Sequence, residues 1–382
     1  MRIRLLMGVA VLVSAQLLSG GAAGALPQAT VVTPAPAALN AVSCPSVTFC
    51  MAVGAQGDAR SRSLAERWNG HNWSVVATPP TGAADTYLTG VSCSSADACS
   101  AVGYTQPGQG LAYPASMLVE RWNGWTWALQ SLPRPSGSGL TAYLFGVSCP
   151  SATRCVAVGT YTVGGTGTGT MAAAWNGTTW SRLSFVYPGA ELLSVSCAEV
   201  ASCVGVGQFG FQTASDHWNG TSWSPQIPPN PTIPIPGDGL NAVSCSRVPF
   251  SGCQTVGVYA VGDAAQSTFG LGWSAKTLDW TVEYPPSPGH SAELLGVSCA
   301  TTSACITVGG YPSDVGELPL IGQWNGTSWA ALHSPLLRGT LEGVSCTTAN
   351  ACTAVGSTIR SAGGLPLIER WNGSIWSLEA AA

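Results

Sequence analysis

The sequence predicts an all-β protein, a seven-bladed β-propeller of four-stranded antiparallel blades, and three observations predict it. One cysteine pair recurs seven times, one tryptophan pair recurs seven times, and short strand-like segments fill the intervals between them. The leading cysteines are Cys44, Cys93, Cys149, Cys197, Cys245, Cys299 and Cys346, at intervals of 47 to 56 residues. Their followers are Cys50, Cys99, Cys155, Cys203, Cys253, Cys305 and Cys352, so all fourteen cysteines belong to the pattern. Tryptophan pairs begin at Trp68, Trp122, Trp175, Trp218, Trp273, Trp324 and Trp371, leaving Trp125 alone outside them.

Within a repeat the first strand reads Leu-x-small-Val-Ser-Cys, as from Leu144 to Cys149, and the second Cys-x-Ala-Val-Gly, as from Cys155 to Gly159. A third strand runs into Trp-Asn-Gly, as from Leu118 to Gly124, and a fourth leaves the second tryptophan, as from Trp329 to Leu332. Runs rich in Val, Ala, Leu and Trp, punctuated by Gly, Pro and Asn, favour strands, and no window sustains a helical period. Four strands per repeat of about 50 residues match a propeller blade. One blade cannot bury both faces of its sheet, so blades stack, and a closed ring removes exposed edges. A small residue three before each leading cysteine (Ala41, Gly90, Gly146, Ser194, Ala242, Gly296, Gly343) suits strands crowded around one axis.

The cysteines and tryptophans read as scaffold. Five residues separate the cysteines in six repeats and seven in the other, placing them across one hairpin within reach of a disulfide. The expected bridges are Cys44–Cys50, Cys93–Cys99, Cys149–Cys155, Cys197–Cys203, Cys245–Cys253, Cys299–Cys305 and Cys346–Cys352. Metal binding is the rival reading, but isolated pairs lack the further ligands of a zinc site, so no metal and no cofactor is expected. Asn-Gly between the tryptophans suggests a type I′ turn with a two-residue loop, which would pair Trp68 with His71 and Trp73 with Glu66. Both indoles would project from one face and fill the gap between blades; stacking on sugar rings is the functional alternative. The fifth repeat departs from the pattern: Ser-Ala-Lys-Thr-Leu-Asp replaces Asn-Gly-x-x between Trp273 and Trp280, and the Pro-rich segment Pro225 to Pro236 precedes it.

Residues 1–25 read as a secretory signal peptide, with Arg2 and Arg4, an apolar run from Leu5 to Leu18, and Ala23-Gly24-Ala25 before the cleavage point. Residues 26–37 form an N-terminal segment and candidate closing strand, and 38–382 the propeller. A secreted, extracellular, monomeric protein without membrane insertion is expected. Charged residues make up 8% of the chain and the net charge is −4, with no basic stripe for nucleic acid. Hydrophobic residues at 46% exclude general disorder.

At these motifs the chain resembles secreted bacterial β-propeller repeat proteins and, more distantly, Asp-box and kelch-like propellers, over residues 38 to 382. The stretch Trp175-Asn176-Gly177-Thr178-Thr179-Trp180 stands where an Asp-box has Asp-x-Gly-x-Thr-Trp, with Trp in place of the Asp. The resemblance implies the fold. The arginine triad and Phe-Arg-Ile-Pro signature of propeller sialidases have no counterpart, and fold alone does not confer function.

Loop length is the functional clue. Both hairpins are short and share one face, whereas the connections on the other vary, as in Gln106 to Ala115, Pro133 to Gly139 and Thr162 to Thr170. Variable loops on a rigid scaffold are where binding residues concentrate. Alignment on the leading cysteine places Ala38, Tyr87, Tyr143, Glu191, Gly239, Glu293 and Thr340 around the tunnel mouth. Of these, Tyr87, Tyr143, Glu191, Glu293 and Thr340 are the candidate ligand-binding residues. His71, His217, His290 and His333 share no repeat position, no serine stands in Gly-x-Ser-x-Gly, and no catalytic residue is assigned. Glu66-Arg67, Glu120-Arg121 and Glu369-Arg370 read as surface ion pairs. The expected function is a non-catalytic binding module for a glycan or extracellular protein; the alternative is a secreted hydrolase or lyase with one site at the tunnel mouth.

Overall fold

The computed structural model describes residues 35–58, 60–108, 114–137, 139–164, 167–185, 189–231, 238–246, 252–261, 265–289, 291–358 and 364–382. The expected signal peptide, most of the N-terminal segment and His290 lie outside them. Seven four-stranded antiparallel sheets, each built from four consecutive strands, form seven blades. Blade 1 comprises Ala37–Ser46, Phe49–Gln56, Arg62–Trp68 and Trp73–Val75, and blade 7 ends the series with Thr340–Thr348, Ala351–Ser357, Pro366–Trp371 and Trp376–Glu379. Innermost strands contact those of the neighbouring blades all round, blade 7 against blade 1 included.

The repeat motif is explained by that crowding. The leucine five before each leading cysteine (Leu39, Leu88, Leu144, Leu192, Leu240, Leu294, Leu341) is 0% exposed. Two positions on, a Cβ at Gly90 would come 2.8 Å from the Phe145 carbonyl oxygen of the next blade, and one at Gly343 3.0 Å from Ala41 Cα. The small-residue position therefore sets how closely inner strands approach. The glycine ending Cys-x-Ala-Val-Gly has its own reason: in blade 2 a Cβ at Gly103 would strike the carbonyl oxygen of Tyr87, which a bulge between Leu88 and Gly90 pushes toward it.

The serine of Val-Ser-Cys joins the ring. Each of the seven leading cysteines donates its backbone N–H, at 2.9 Å, to the serine Oγ of the preceding blade: Cys93 to Ser43, Cys149 to Ser92, Cys197 to Ser148, Cys245 to Ser196, Cys299 to Ser244 and Cys346 to Ser298. Cys44 closes the circle by donating to Ser345, 301 positions away, also at 2.9 Å. Ala37 N–H donates to the Gly364 carbonyl and Ala382 N–H to Glu66 Oε2 at the same seam. Blades 1 and 7 thus meet without exchanging a strand among the described residues.

All seven expected disulfides are present, with Cα atoms 3.9 to 4.1 Å apart. The tryptophan turn corrects the expectation. Trp68 lies opposite Trp73, not His71, because the loop has four residues. Asn69 Oδ1 accepts from the N–H groups of His71 and Asn72, an Asx turn, and only Gly70 takes a positive φ, at 97°. The indoles still share a face, with centroids 5.8 Å apart in blade 1. In blade 5 the longer turn separates Trp273 and Trp280 to 6.4 Å, and Leu278 carries a φ of 60°. Pro225 proves to belong to the outermost strand Trp223–Gln226, while 232–237 lie outside the described residues.

The surface ion pairs are overturned. Neighbouring residues of a strand point to opposite faces, so each Glu turns into the packing while its Arg leaves on the other side. Glu66, Glu120 and Glu369 are 1%, 0% and 0% exposed. Arg121 lies 4.4 Å above the Trp175 ring of the next blade, and Arg370 equally above Trp68. Both carboxyl oxygens of Glu120 are buried without a hydrogen-bond partner, and burial pushes its pKa up to about 8. Burial takes Glu369 to about 7, against the hydrogen bond from Ser334, and Asp216 to about 6.

Ser148→Ala leaves the Cys197 N–H buried without an acceptor and is expected to lower unfolding free energy by about 1–2 kcal/mol in denaturant titration; an unchanged midpoint would deny the relay a stabilising role. For Glu120 the folded state keeps its proton to higher pH than the unfolded chain, so stability falls as pH rises from the usual carboxylate range to about 8. Melting from pH 5 to 9 should show that fall. Glu120→Gln should remove the Glu120 share of it, on the order of 3 kcal/mol at pH 9, leaving the smaller falls from Glu369 and Asp216.

Candidate functional site

Because each sheet runs through its strands in order, the first and third turns of every blade share one face. Those turns hold the disulfides and tryptophans. The other face carries the remaining connections, which run to 107–115 in blade 2 and to 130–139 between blades 2 and 3. In blade 3 the strands continue to Val163 and resume at Thr168, so that loop is shorter than the expected Thr162 to Thr170.

The inner strands enclose a cavity of about 180 Å³ on the propeller axis, lined by the residues four, three and two before each leading cysteine. Three of its polar side chains turn sideways into the ring. Asn40 and Asn241 donate at 2.8 Å to the carbonyls of Leu88 and Leu294, and Thr89 donates to that of Leu144 at the same distance. These bonds link adjacent blades.

The sequence-predicted mouth residues occupy matching register positions at the start of the inner strands. Tyr87 pairs with Tyr104, Tyr143 with Thr160, Glu191 with Gln208, Glu293 with Gly310 and Thr340 with Ser357. Tyr87 and Tyr143 are brought together through Tyr104, which the alignment on the leading cysteine misses. Tyr87 stacks on Tyr104 with centroids 4.9 Å apart, and Tyr104 meets Tyr143 edge-on at 5.0 Å. Tyr143 stacks in turn on Phe145 at 5.9 Å, and Phe145 reaches the tunnel wall. Four half-buried rings thus form a band from blade 2 to the tunnel of blade 3. Aligning on the second cysteine of each pair would have exposed Tyr104, Thr160 and Gln208 as the adjoining ring.

Glu191, in the next blade, is half-buried and accepts from Gln208 Nε2 at 2.9 Å, which orients the carboxylate. Glu293 sits half-buried two blades further on. Thr340 is 0% exposed, and a Cβ at Gly310 would lie 3.1 Å from it, so its side chain is enclosed between blades 6 and 7 and does not face the opening. Tyr104 is the electrostatically perturbed member: burial, then the neighbouring Tyr87 and Tyr143, push its pKa up to about 12.

Two further cavities adjoin the ring. One, about 400 Å³, lies on the loop-rich face between blade 1 and its crossing to blade 2, with exposed Arg60 and Arg62 at its edge and Thr78, Pro79 and Pro80 in its wall. The other, about 350 Å³, opens on the disulfide face between blades 5 and 6. His71 and His333 are exposed. His217 is half-buried, lies 3.4 Å from Ser202 Oγ, and has its pKa lowered by burial.

No protein-family model matches the chain, and no curated protein sequence does. Solved structures match in fold. YCF48 bound to D1 peptide superposes with a TM-score of 0.54 at 13% identity, covering 88% of this chain and 92% of that one. The GH74 xyloglucanase from Xanthomonas campestris superposes with a TM-score of 0.56 at 12% identity, covering 90% of this chain and 53% of that one. The present chain therefore spans about half the length of that enzyme. These likenesses concern the propeller fold alone.

Alkaline titration followed at 295 nm should resolve one tyrosine ionising near pH 12, absent from Tyr104→Phe. Identical titration curves for the two proteins would contradict the packing of the aromatic band.

Proposed function

We propose that this chain is a secreted, non-catalytic binding module whose loop-rich face holds a glycan or a protein segment at the tunnel mouth. The observation that carries the reading is the continuous band Tyr87–Tyr104–Tyr143–Phe145 beside the oriented Glu191–Gln208 pair. Aromatic surface with a few fixed polar groups is the usual make-up of a ligand site. Ring faces offer apolar contact at small entropic cost, while Glu191 accepts hydrogen bonds from hydroxyl or amide donors. The carboxyls with strongly raised pKa values, Glu120 and Glu369, are sealed between blades and out of reach of a substrate. That favours binding over turnover.

Secretion is supported by the seven disulfides, which belong to an oxidising compartment, and by the charged, apolar and small-residue order of the first 25 residues. No helix among the described residues is long and apolar enough to cross a membrane. Closure of the ring through its own inner strands supports the reading of a monomer, because no blade needs a strand from a second copy to complete the circle.

A glycan array and a peptide library probed with the purified chain should each be read against the Tyr87→Ala/Tyr143→Ala double variant. Binding to one library, weakened at least tenfold in the variant, is expected. Equal binding by both proteins would move the site elsewhere, and turnover abolished by Glu191→Gln would replace the reading with a hydrolase or lyase.

A further inference from the structure

Blade 5 departs from the repeat on the disulfide face, and the departure opens a cavity with defined chemistry. At three junctions the residue before the first tryptophan of a blade reaches the first tryptophan of the next. Arg121 lies 4.4 Å over Trp175, Arg370 lies 4.4 Å over Trp68, and the His217 ring is 5.8 Å from Trp273. Arg121 shows what this position offers a guanidinium: Nη1 donates to Ser100 Oγ at 2.8 Å and Nη2 to the Ala152 carbonyl at 3.0 Å.

In blade 5 the arginine position is Gly272, and the space between blades 5 and 6 is the open cavity of about 350 Å³. The counterparts of three Arg121 partners line it. Trp324 stands for Trp175, Gln254 for Ser100 and Thr302 for Ala152. Gln254 is 9% exposed, and its Nε2 donates to Glu283 Oε1 at 3.2 Å. That bond fixes the amide orientation and leaves Gln254 Oε1 buried without a partner. Glu283, also in the wall, is held by Trp329 Nε1 at 2.7 Å on its other oxygen. Both its hydrogen bonds come from neutral donors, and burial raises its pKa.

The cavity thus presents a carboxylate, an unused amide oxygen, a backbone carbonyl and an indole. We propose that it binds a guanidinium group, the arginyl side chain of a protein segment inserted between blades 5 and 6. The guanidinium stacks on Trp324, pairs with Glu283 and donates to Gln254 Oε1. A planar cation with five N–H donors satisfies several acceptors while stacking, which a compact ammonium does not. The site lies on the face opposite the tunnel-mouth band and stands whether or not that band binds its ligand.

The test titrates Nα-acetyl-arginine amide into the purified full chain by calorimetry and tryptophan fluorescence, alongside the neutral isostere Nα-acetyl-citrulline amide. Saturable binding of the arginine derivative, at least tenfold tighter than citrulline, is expected. Glu283→Gln should weaken it at least tenfold. Gly272→Arg should abolish it by refilling the cavity as in blade 2; the new Cβ would lie 2.5 Å from Glu283 Oε1, the movable end of that side chain. Absence of saturable binding, equal binding of citrulline, or binding by a folded Gly272→Arg protein like that of the unaltered chain would overturn the proposal. The citrulline comparison uses the unaltered chain and so survives a variant that fails to fold.

Discussion

The rest of the structure depends on the close approach of seven inner strands around one axis. Their backbones come near enough that a Cβ at Gly146 or Gly296 would crowd the next strand, and near enough for the cysteine N–H of one blade to reach the serine of another. The approach and the bond select each other. A small residue lets the strands close, closure places Ser Oγ against the N–H, and the N–H would otherwise be buried unpaired at a cost of about 1–3 kcal/mol. Repeating this bond at every junction, the seam included, joins the terminal blades without a shared strand among the described residues.

This inner ring divides the work between the faces. On one, each disulfide ties the first hairpin and the paired indoles fill the gap to the preceding blade, so side chains there are chosen by packing. On the other, connections answer only to the spacing of strand ends and vary in length and composition. The aromatic band grows from that freedom, because strand starts in blades 2 and 3 lie beyond the leucine core and need not be small or apolar. Blade 5 shows the same logic in reverse. With Gly272 where blade 2 has Arg121, the residues equivalent to three Arg121 partners line an opening instead of a packing contact.

The alternation of strand side chains also explains the buried acids. In Glu-Arg-Trp the arginine and glutamate cannot share a face, so Arg121 and Arg370 cap the neighbouring indoles while each carboxyl is carried into the packing. An unpaired buried carboxyl is tolerable when neutral, which is the state burial itself imposes on Glu120.

The sequence by itself determined the blade count, the strand order within a blade and the disulfide pairing, since each follows from a recurring interval or from two residues within reach across one hairpin. It also placed Tyr87, Tyr143, Glu191 and Glu293 at equivalent strand starts. Tertiary structure alone decided which neighbours those residues acquire. Tyr104 joins the tyrosines through cross-strand pairing, Thr340 is enclosed by blade 6, and the tryptophans lie opposite each other because Asn69 makes an Asx turn instead of entering a positive φ. A local motif specifies its own hairpin, whereas contacts between blades join residues about 50 or 301 positions apart, and no spacing along the chain encodes which side chain will meet which.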